Sequence, residues 1–293
     1  MGATLRERLF VWLQYALPQR LLSRGVFWLT RTRVLKRPLI SAFMRGFRPV
    51  MHDAVQTDPQ AYESFNAFFT RALRADARSM PDEPLALACP VDGTVSSFGA
   101  IQDDALWQAK GQHYSLLALL AGNVAEAARY RDGNFLTIYL APYNYHRIHM
   151  PLAGRLRAAW YVPGALFSVN DTTAAQVPGL FTRNERVICA FDDQGQPFSV
   201  ILVGALFVGS MSTIWHGDIA PESGRKVTEL APNAAVPALT QPRGAELGRF
   251  NMGSTVILLF PRDAVSLASG LHVGQVVCLG ENIGQRLAPN RHA

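Results

Sequence analysis

Gly248-Arg249-Phe250-Asn251-Met252-Gly253-Ser254-Thr255-Val256-Ile257-Leu258 changes character at its middle. Up to Ser254 the stretch is irregular, mixing Gly, Arg, Asn and Ser with Phe250 and Met252. Residues 255–260 read as a strand paired within the core, short, rich in branched side chains and unbroken in apolar character from Val256 on. Similar short apolar or alternating runs recur upstream at 135–140, 156–162, 186–191 and 198–208, punctuated by Gly, Pro, Asn and Asp. Two short helices interrupt them near 115–121 and 124–130, the first capped by Ser115 and ended by Gly122. The pattern predicts an α+β body dominated by antiparallel strands.

The first fifty residues differ. They hold ten Lys/Arg against one acid, Glu7, whereas residues 51–293 hold 18 basic and 21 acidic side chains. Leu5, Leu9, Phe10, Leu13 and Leu17 recur at helical spacing, Pro18 closes that helix, and Phe27, Trp28 and Leu29 sit in a second. Two or three amphipathic helices are expected over 5–50. They can pack on the body with arginines outward, or lie on an anionic membrane surface. The interleaving of aromatics and arginines with almost no acid favours the membrane. The expected division is a membrane-binding segment, 1–50, and a catalytic domain, 51–293. Asp58-Pro59 is a helix start, with the helix expected to run to about Leu73, and 75–88 reads as a linker. Residues 231–243 read as a flexible loop.

Several classes are excluded. No apolar run reaches the roughly 18 residues of a bilayer-spanning helix, and Met1 to Ala16 lacks a secretory-signal pattern. Cys89, Cys189 and Cys278 are too sparse for a disulfide framework or a thiolate zinc site. No phosphate-loop or dinucleotide glycine motif opens a helix.

Three stretches could carry chemistry. Asp92-Gly93 is a hairpin signal on local grounds. In Tyr145-His146-Arg147-Ile148-His149-Met150-Pro151 the two histidines share a face only in a turn or loop, and without a carboxylate or Cys partner they make a weak metal site. Gly253-Ser254 is not a G-x-S-x-G elbow. Each is bland alone, but together they supply an acid, a histidine and a serine, Asp92, His149 and Ser254, a set that activates hydroxyls on unrelated folds.

Six ordered segments then resemble the phosphatidylserine decarboxylase family, in its short prokaryotic form. Met252-Gly253-Ser254-Thr255 resembles its L-G-S-T self-cleavage motif, with Met for Leu. Ser64–Arg71, Pro90–Gly93, Tyr145–Pro151, Tyr161–Asn170 and Phe181–Arg186 are similar to F-N-x-F-F, P-x-D-G, Y-H-R-x-H-x-P, V-P-G-x-L-F-S-V-N and F-x-R-N-E-R. The resemblance implies cleavage at Gly253-Ser254 into chains 1–253 and 254–293, with Ser254 becoming a covalent pyruvoyl group that binds phosphatidylserine as a Schiff base and releases phosphatidylethanolamine. It implies that Asp92 and His149 activate Ser254, that His146 donates the proton in decarboxylation, and that Ser168 contacts the substrate. It implies no metal and no nucleic acid, a peripheral protein on the cytoplasmic face of the cell membrane, and room for a homodimer. A decarboxylase of soluble amino acids, a lipid-surface serine hydrolase and a non-catalytic peripheral membrane protein remain the alternatives.

Residues 1–50 are expected to bind anionic vesicles in a salt-sensitive way, since exposed charges are screened over about 8 Å at physiological salt. Vesicle co-sedimentation with and without this segment checks it. Equal binding by the truncated chain overturns it.

Overall fold

The apolar run at 255–260 is the middle of the molecule. In the computed structural model, which describes residues 4–109, 111–206, 210–219, 226–230, 239–251 and 254–288, Ser254–Phe260 lies between Asn134–Leu140 and Gln196–Val203, antiparallel to both. All seven of its residues are buried. Val256, Leu258 and Phe260 enter one apolar cluster with Leu136, Ile138 and Leu140. Ile257 and Leu259 enter another, with Phe135, Ile201 and Val203. Each such side chain contributes about 1.5–3 kcal/mol by leaving water, and every backbone polar group in the strand's middle has a neighbour to bond.

The sheet extends outward from this strand. On one side follow Gly93–Ala100 and Val276–Val277, and on the other Arg186–Asp193, Gly154–Val162 and two short edge strands. A four-stranded sheet, Gly217–Ile219, Met211–Thr213, Glu246–Phe250 and Arg147–His149, packs residues such as Ile148, Leu247 and Phe250 into the first cluster. All strand pairs are antiparallel, so the α+β expectation holds.

Three helices form over the first fifty residues: α1 (Leu5–Ala16), α2 (Gln19–Arg31) and α3 (Lys36–Phe47). Thr4 and Glu7 close a capping box on α1. The helices dock on the body. The Gln14 carboxamide accepts from Ser168 N at 2.7 Å and that of Gln19 from Leu166 N at 2.7 Å. Ile40 and Phe43 of α3 pack on Phe65, Phe68 and Phe69 of α4 (Phe65–Phe69). Elsewhere Leu5, Leu9, Trp12, Leu13, Leu21 and Trp28 stay exposed. The helices therefore pack on the body and still present an apolar face.

Four local expectations are corrected. The helix expected from Asp58 to Leu73 is two pieces. Asp58 caps Pro59–Ala61 as expected, but Lys36 Nζ donates to the carbonyls of Gln60 and Tyr62, acceptors that a continuing helix would need. Ser64 then caps α4 afresh. Within the expected linker, Ala86–Ala88 is a strand paired with Asn282–Arg286. The strand expected over 198–208 ends at Val203, and residues 207–208 lie outside the described residues. Of the expected loop at 231–243, residues 231–238 lie outside the described residues, while Thr240–Gln241 pairs with Gly154–Val162.

Asp92-Gly93 is not a hairpin turn. Gly93 opens a strand paired with Asn134–Leu140 and Val276–Val277, neither adjacent in sequence. A Cβ at Gly93 would stand 2.5 Å from the Tyr139 carbonyl oxygen, so the glycine serves close strand approach. Gly93→Ala is expected to cost about 1–3 kcal/mol as an overpacked site. Urea unfolding measures it, and an unchanged midpoint would return Gly93 to a simple turn.

Candidate active site

One end of the central sheet gathers the three stretches. Tyr139 pairs with both Thr94 and Thr255, and Leu140 pairs with Ser254. Asp92 and Ser254 thus lie at the same end of the sheet, on either side of the strand that ends at Leu140. The chain leaving Leu140 turns at once, with Ala141 N donating to Asn144 Oδ1 at 2.8 Å and Asn144 N to the Ala141 carbonyl at 2.9 Å. It then enters Arg147–His149. That strand is fixed from both sides: His149 N donates to the Pro90 carbonyl at 2.9 Å, and Phe250 N donates to the His146 carbonyl at 2.9 Å. Residues 90, 146–149 and 250 are therefore neighbours in space.

The side chains are wired as follows. Asp92 is buried and receives a two-pronged contact from Arg78, Nε to Oδ1 at 3.1 Å and Nη2 to Oδ2 at 2.6 Å, with Leu279 N donating to Oδ1 at 2.8 Å. Arg78 also holds Asp53. Burial pushes the His149 imidazole toward its neutral form, against the hydrogen bond it donates to the Gly244 carbonyl and the charges of Glu246 and Asp92. In that form Nδ1–H donates to the Gly244 carbonyl at 2.8 Å, because a carbonyl only accepts, and Nε2 accepts from the Tyr145 hydroxyl at 3.0 Å. His146 is fully buried, 4.1 Å from the Phe69 ring between centroids, with Nδ1–H donating to the Asn144 carbonyl at 2.9 Å. Its Nε2 has no partner among the described residues, and burial pushes its pKa down to about 3. Ser254 is fully buried and its Oγ also has no partner among them.

The expected Asp92, His149 and Ser254 therefore come to one end of the sheet without hydrogen bonds among them. Asp92 is turned to Arg78, and His149 is capped by Tyr145. Ser168 sits under α1, its amide on Gln14, and the Tyr161–Asn170 motif is the seat of α1 and α2. The Phe181–Arg186 motif is a buttress: Asn184 exchanges hydrogen bonds with the Phe167 backbone, and Arg186 donates to the carbonyls of Ala118, Leu119, Thr182 and Asn184. Arg78 carried no local signal, lying in the presumed linker. Tyr145 stood inside the quoted histidine motif and was legible by residue type.

Beside the site lies a cavity of about 640 Å³, lined by Phe98, Trp107, Tyr139, Ala141, Tyr143 and Val273 among others. Tyr139 precedes Leu140, the partner of Ser254, so the cavity lies at the same end of the sheet, on the face opposite the Leu140 and Ser254 side chains.

The chain is similar to known proteins along most of its length. Residues 65–285 match the family model described as phosphatidylserine decarboxylase, and residues 9–48 match a second, described as PSD. The phosphatidylserine decarboxylase proenzyme of Methylococcus capsulatus is 47% identical over 284 residues, covering 96% of this chain and 98% of that one. That of Azotobacter vinelandii is 47% identical over 283 residues, covering 96% and 99%. That of Pseudomonas aeruginosa is 48% identical over 278 residues, covering 94% and 96%. The chain belongs to the phosphatidylserine decarboxylase family.

Burial of His146 has a measurable cost in acid. Its pKa lies near 3 in the folded chain against an ordinary 6.5, so between those values the unfolded chain binds the proton more readily. The stability it permits is full above about pH 6.5 and is lost as pH falls toward 3. Thermal unfolding from pH 7 to pH 4 is expected to show a falling midpoint, with a shallower fall in His146→Gln. Parallel curves would place the titrating group elsewhere.

Proposed function

We propose that this chain is a self-processing decarboxylase that cuts itself between Gly253 and Ser254 and then removes carbon dioxide from phosphatidylserine. The observation that carries the reading is the Ser254 hydroxyl. It is fully buried and without a hydrogen-bond partner, at the head of the central strand and at the sheet end that carries both histidines. A buried hydroxyl without a partner is a cost that folding alone does not explain.

In the cut, Ser254 Oγ attacks the Gly253 carbonyl carbon as its proton passes to His149, and the peptide bond becomes an ester. Tyr145 holds the His149 acceptor nitrogen, so its hydroxyl must yield that position or pass the proton on. Asp92 lends its negative charge to the imidazolium that forms. Loss of the Ser254 α-proton then eliminates the Gly253 carboxylate, and hydrolysis of the resulting dehydroalanine releases ammonia and leaves a pyruvoyl group at residue 254. The unpartnered hydroxyl and the imidazoles at the same end of the sheet suit formation of that group here. When present, its ketone engages the substrate amine and takes up the electrons left by carbon dioxide. His146 returns a proton to the substrate carbon, and Ser168 contacts the substrate.

The lipid reading draws on the cavity and the helices. The cavity's aromatic lining suits an acyl chain. Exposed Leu5, Leu9, Trp12, Leu13, Leu21 and Trp28 lie among exposed Arg6, Arg8, Arg20 and Arg24, and no helix among the described residues is long and apolar enough to cross a membrane. The chain then sits on the membrane peripherally, through α1 and α2, on the cytoplasmic face.

A second reading exchanges the two histidines. His146 Nε2 is an acceptor without a partner, whereas that of His149 is occupied, so His146 is the less encumbered base for Ser254. The variants separate the readings. Wild type is expected to give pieces of 253 and 40 residues, the smaller without a free amino terminus, and Ser254→Ala to stay whole. His149→Ala should stay whole, while His146→Ala should cut and lose about 10²–10⁴-fold in turnover. The reverse pattern exchanges the roles. Intact mass showing only full-length chain in active wild-type protein ends the self-cleavage reading.

A further inference from the structure

Arg71 is a buried cation that no carboxylate contacts among the described residues; the charge of Asp92, already held by Arg78, reaches it only through space. It is 3% exposed. Its Nη2 reaches the carbonyls of Tyr143 and Asn144 at 3.3 and 3.4 Å, both long, and its Nε and Nη1 have no partner. Two other buried or half-buried arginines show what a structural guanidinium looks like here. Arg186 places Nε, Nη1 and Nη2 on four carbonyls at 2.7–3.0 Å. Arg78 is neutralised by Asp53 and Asp92. A guanidinium presents five donors in a rigid fork. Leaving the Nε and Nη1 donors idle in the interior is costly unless an anion completes the site.

We infer that Arg71 is the anion-recognition residue of the site and that the anion is the phosphodiester of the phospholipid headgroup. The inference rests on the reading of phosphatidylserine as substrate. Placement supports it. Tyr143 lines the cavity, and the Asn144 carbonyl receives both Arg71 Nη2 and His146 Nδ1. An anion taken by the free Nε or Nη1 of Arg71 therefore lies close to the segment that joins Tyr143 of the cavity wall to His146.

The substrate offers two anions, and the chemistry selects one. Carbon dioxide leaves as a neutral molecule, so the carboxylate's charge moves away in the transition state. A cation fixed on that carboxylate would stabilise the substrate more than the transition state and slow the reaction. On the phosphodiester the same cation binds both states alike, and its effect falls on KM. Arg71 also opposes protonation of His146, after burial the main influence in that direction. An anion on Arg71 offsets that opposition as substrate arrives.

The test uses the full processed enzyme with two soluble probes. Glycerophosphoethanolamine has the phosphodiester and no carboxylate, and free serine has the carboxylate and no phosphodiester. Calorimetric binding and competition against phosphatidylserine in mixed micelles are measured for wild type, Arg71→Lys and Arg71→Gln. Glycerophosphoethanolamine is expected to bind wild type, with binding weakened about 10–100-fold by Gln and less by Lys, as fits a charge-assisted contact. The loss in decarboxylation should appear in KM more than in kcat. Equal binding of glycerophosphoethanolamine by wild type and Arg71→Gln overturns the assignment, as does Arg71-dependent binding of serine in its place. If Arg71→Gln does not fold, wild type and Arg71→Lys decide: no binding of glycerophosphoethanolamine to wild type overturns it. Failure of wild type to release carbon dioxide from phosphatidylserine overturns the functional reading instead, which calorimetry, needing no turnover, keeps separate.

Discussion

Pairing of Ser254–Phe260 on both sides is the constraint from which the rest follows. A strand bonded to two neighbours and buried on both faces has one allowed register, because a one-residue slip would turn every side chain to the opposite cluster. That register sets Ser254 opposite Leu140 and so decides where the candidate nucleophile stands. It also sets which loop lies beside it, since the chain leaving Leu140 is the one that carries the histidines.

Burial does the second part of the work. Both imidazoles are pushed toward neutrality, His146 strongly, by loss of water. Each ring has one nitrogen tied to a backbone carbonyl, which leaves the other as an acceptor. On the proposed reading, two bases of fixed tautomer within one motif, one capped by Tyr145 and one bare, divide two proton transfers between two residues three apart in sequence. Four of the unmatched buried polar atoms among the described residues belong to this region: His146 Nε2, Ser254 Oγ and two nitrogens of Arg71. A stable fold tolerates such groups where function requires them.

The sheet was legible because its strands are apolar runs with clear breakers, and their periodicity does not depend on distant partners. The one-turn helix at Pro59–Ala61 was not, since its end is imposed by Lys36, more than twenty residues upstream. Asp92-Gly93 misled for the opposite reason. The dipeptide has a strong local preference, which the approach of Tyr139 overrides. The identity of the site residues was legible by type and by resemblance, but not their wiring. No pattern in the sequence announces that Arg78 reaches Asp92 or that Tyr145 covers His149, because both contacts are made by tertiary packing. Arg71 lay in a quoted motif and drew no notice, since an arginine is unremarkable until its partners are counted.

Residues 254–288 are threaded through the body. Besides the central strand, Val276–Val277 lies against Gly93–Ala100, and Asn282–Arg286 lies against Ala86–Ala88. An inner strand cannot be added after its neighbours have closed on each other. In a continuous chain the slot is found by an intramolecular search. For two separate polypeptides it would be a bimolecular search, with bare strand edges on the larger piece open to association with other chains. A molecule opened at this point therefore carries an order of events in its topology: assembly precedes scission and cannot be repeated afterwards. Its working life is then governed by the rate at which it comes apart rather than by an equilibrium, and each copy folds once.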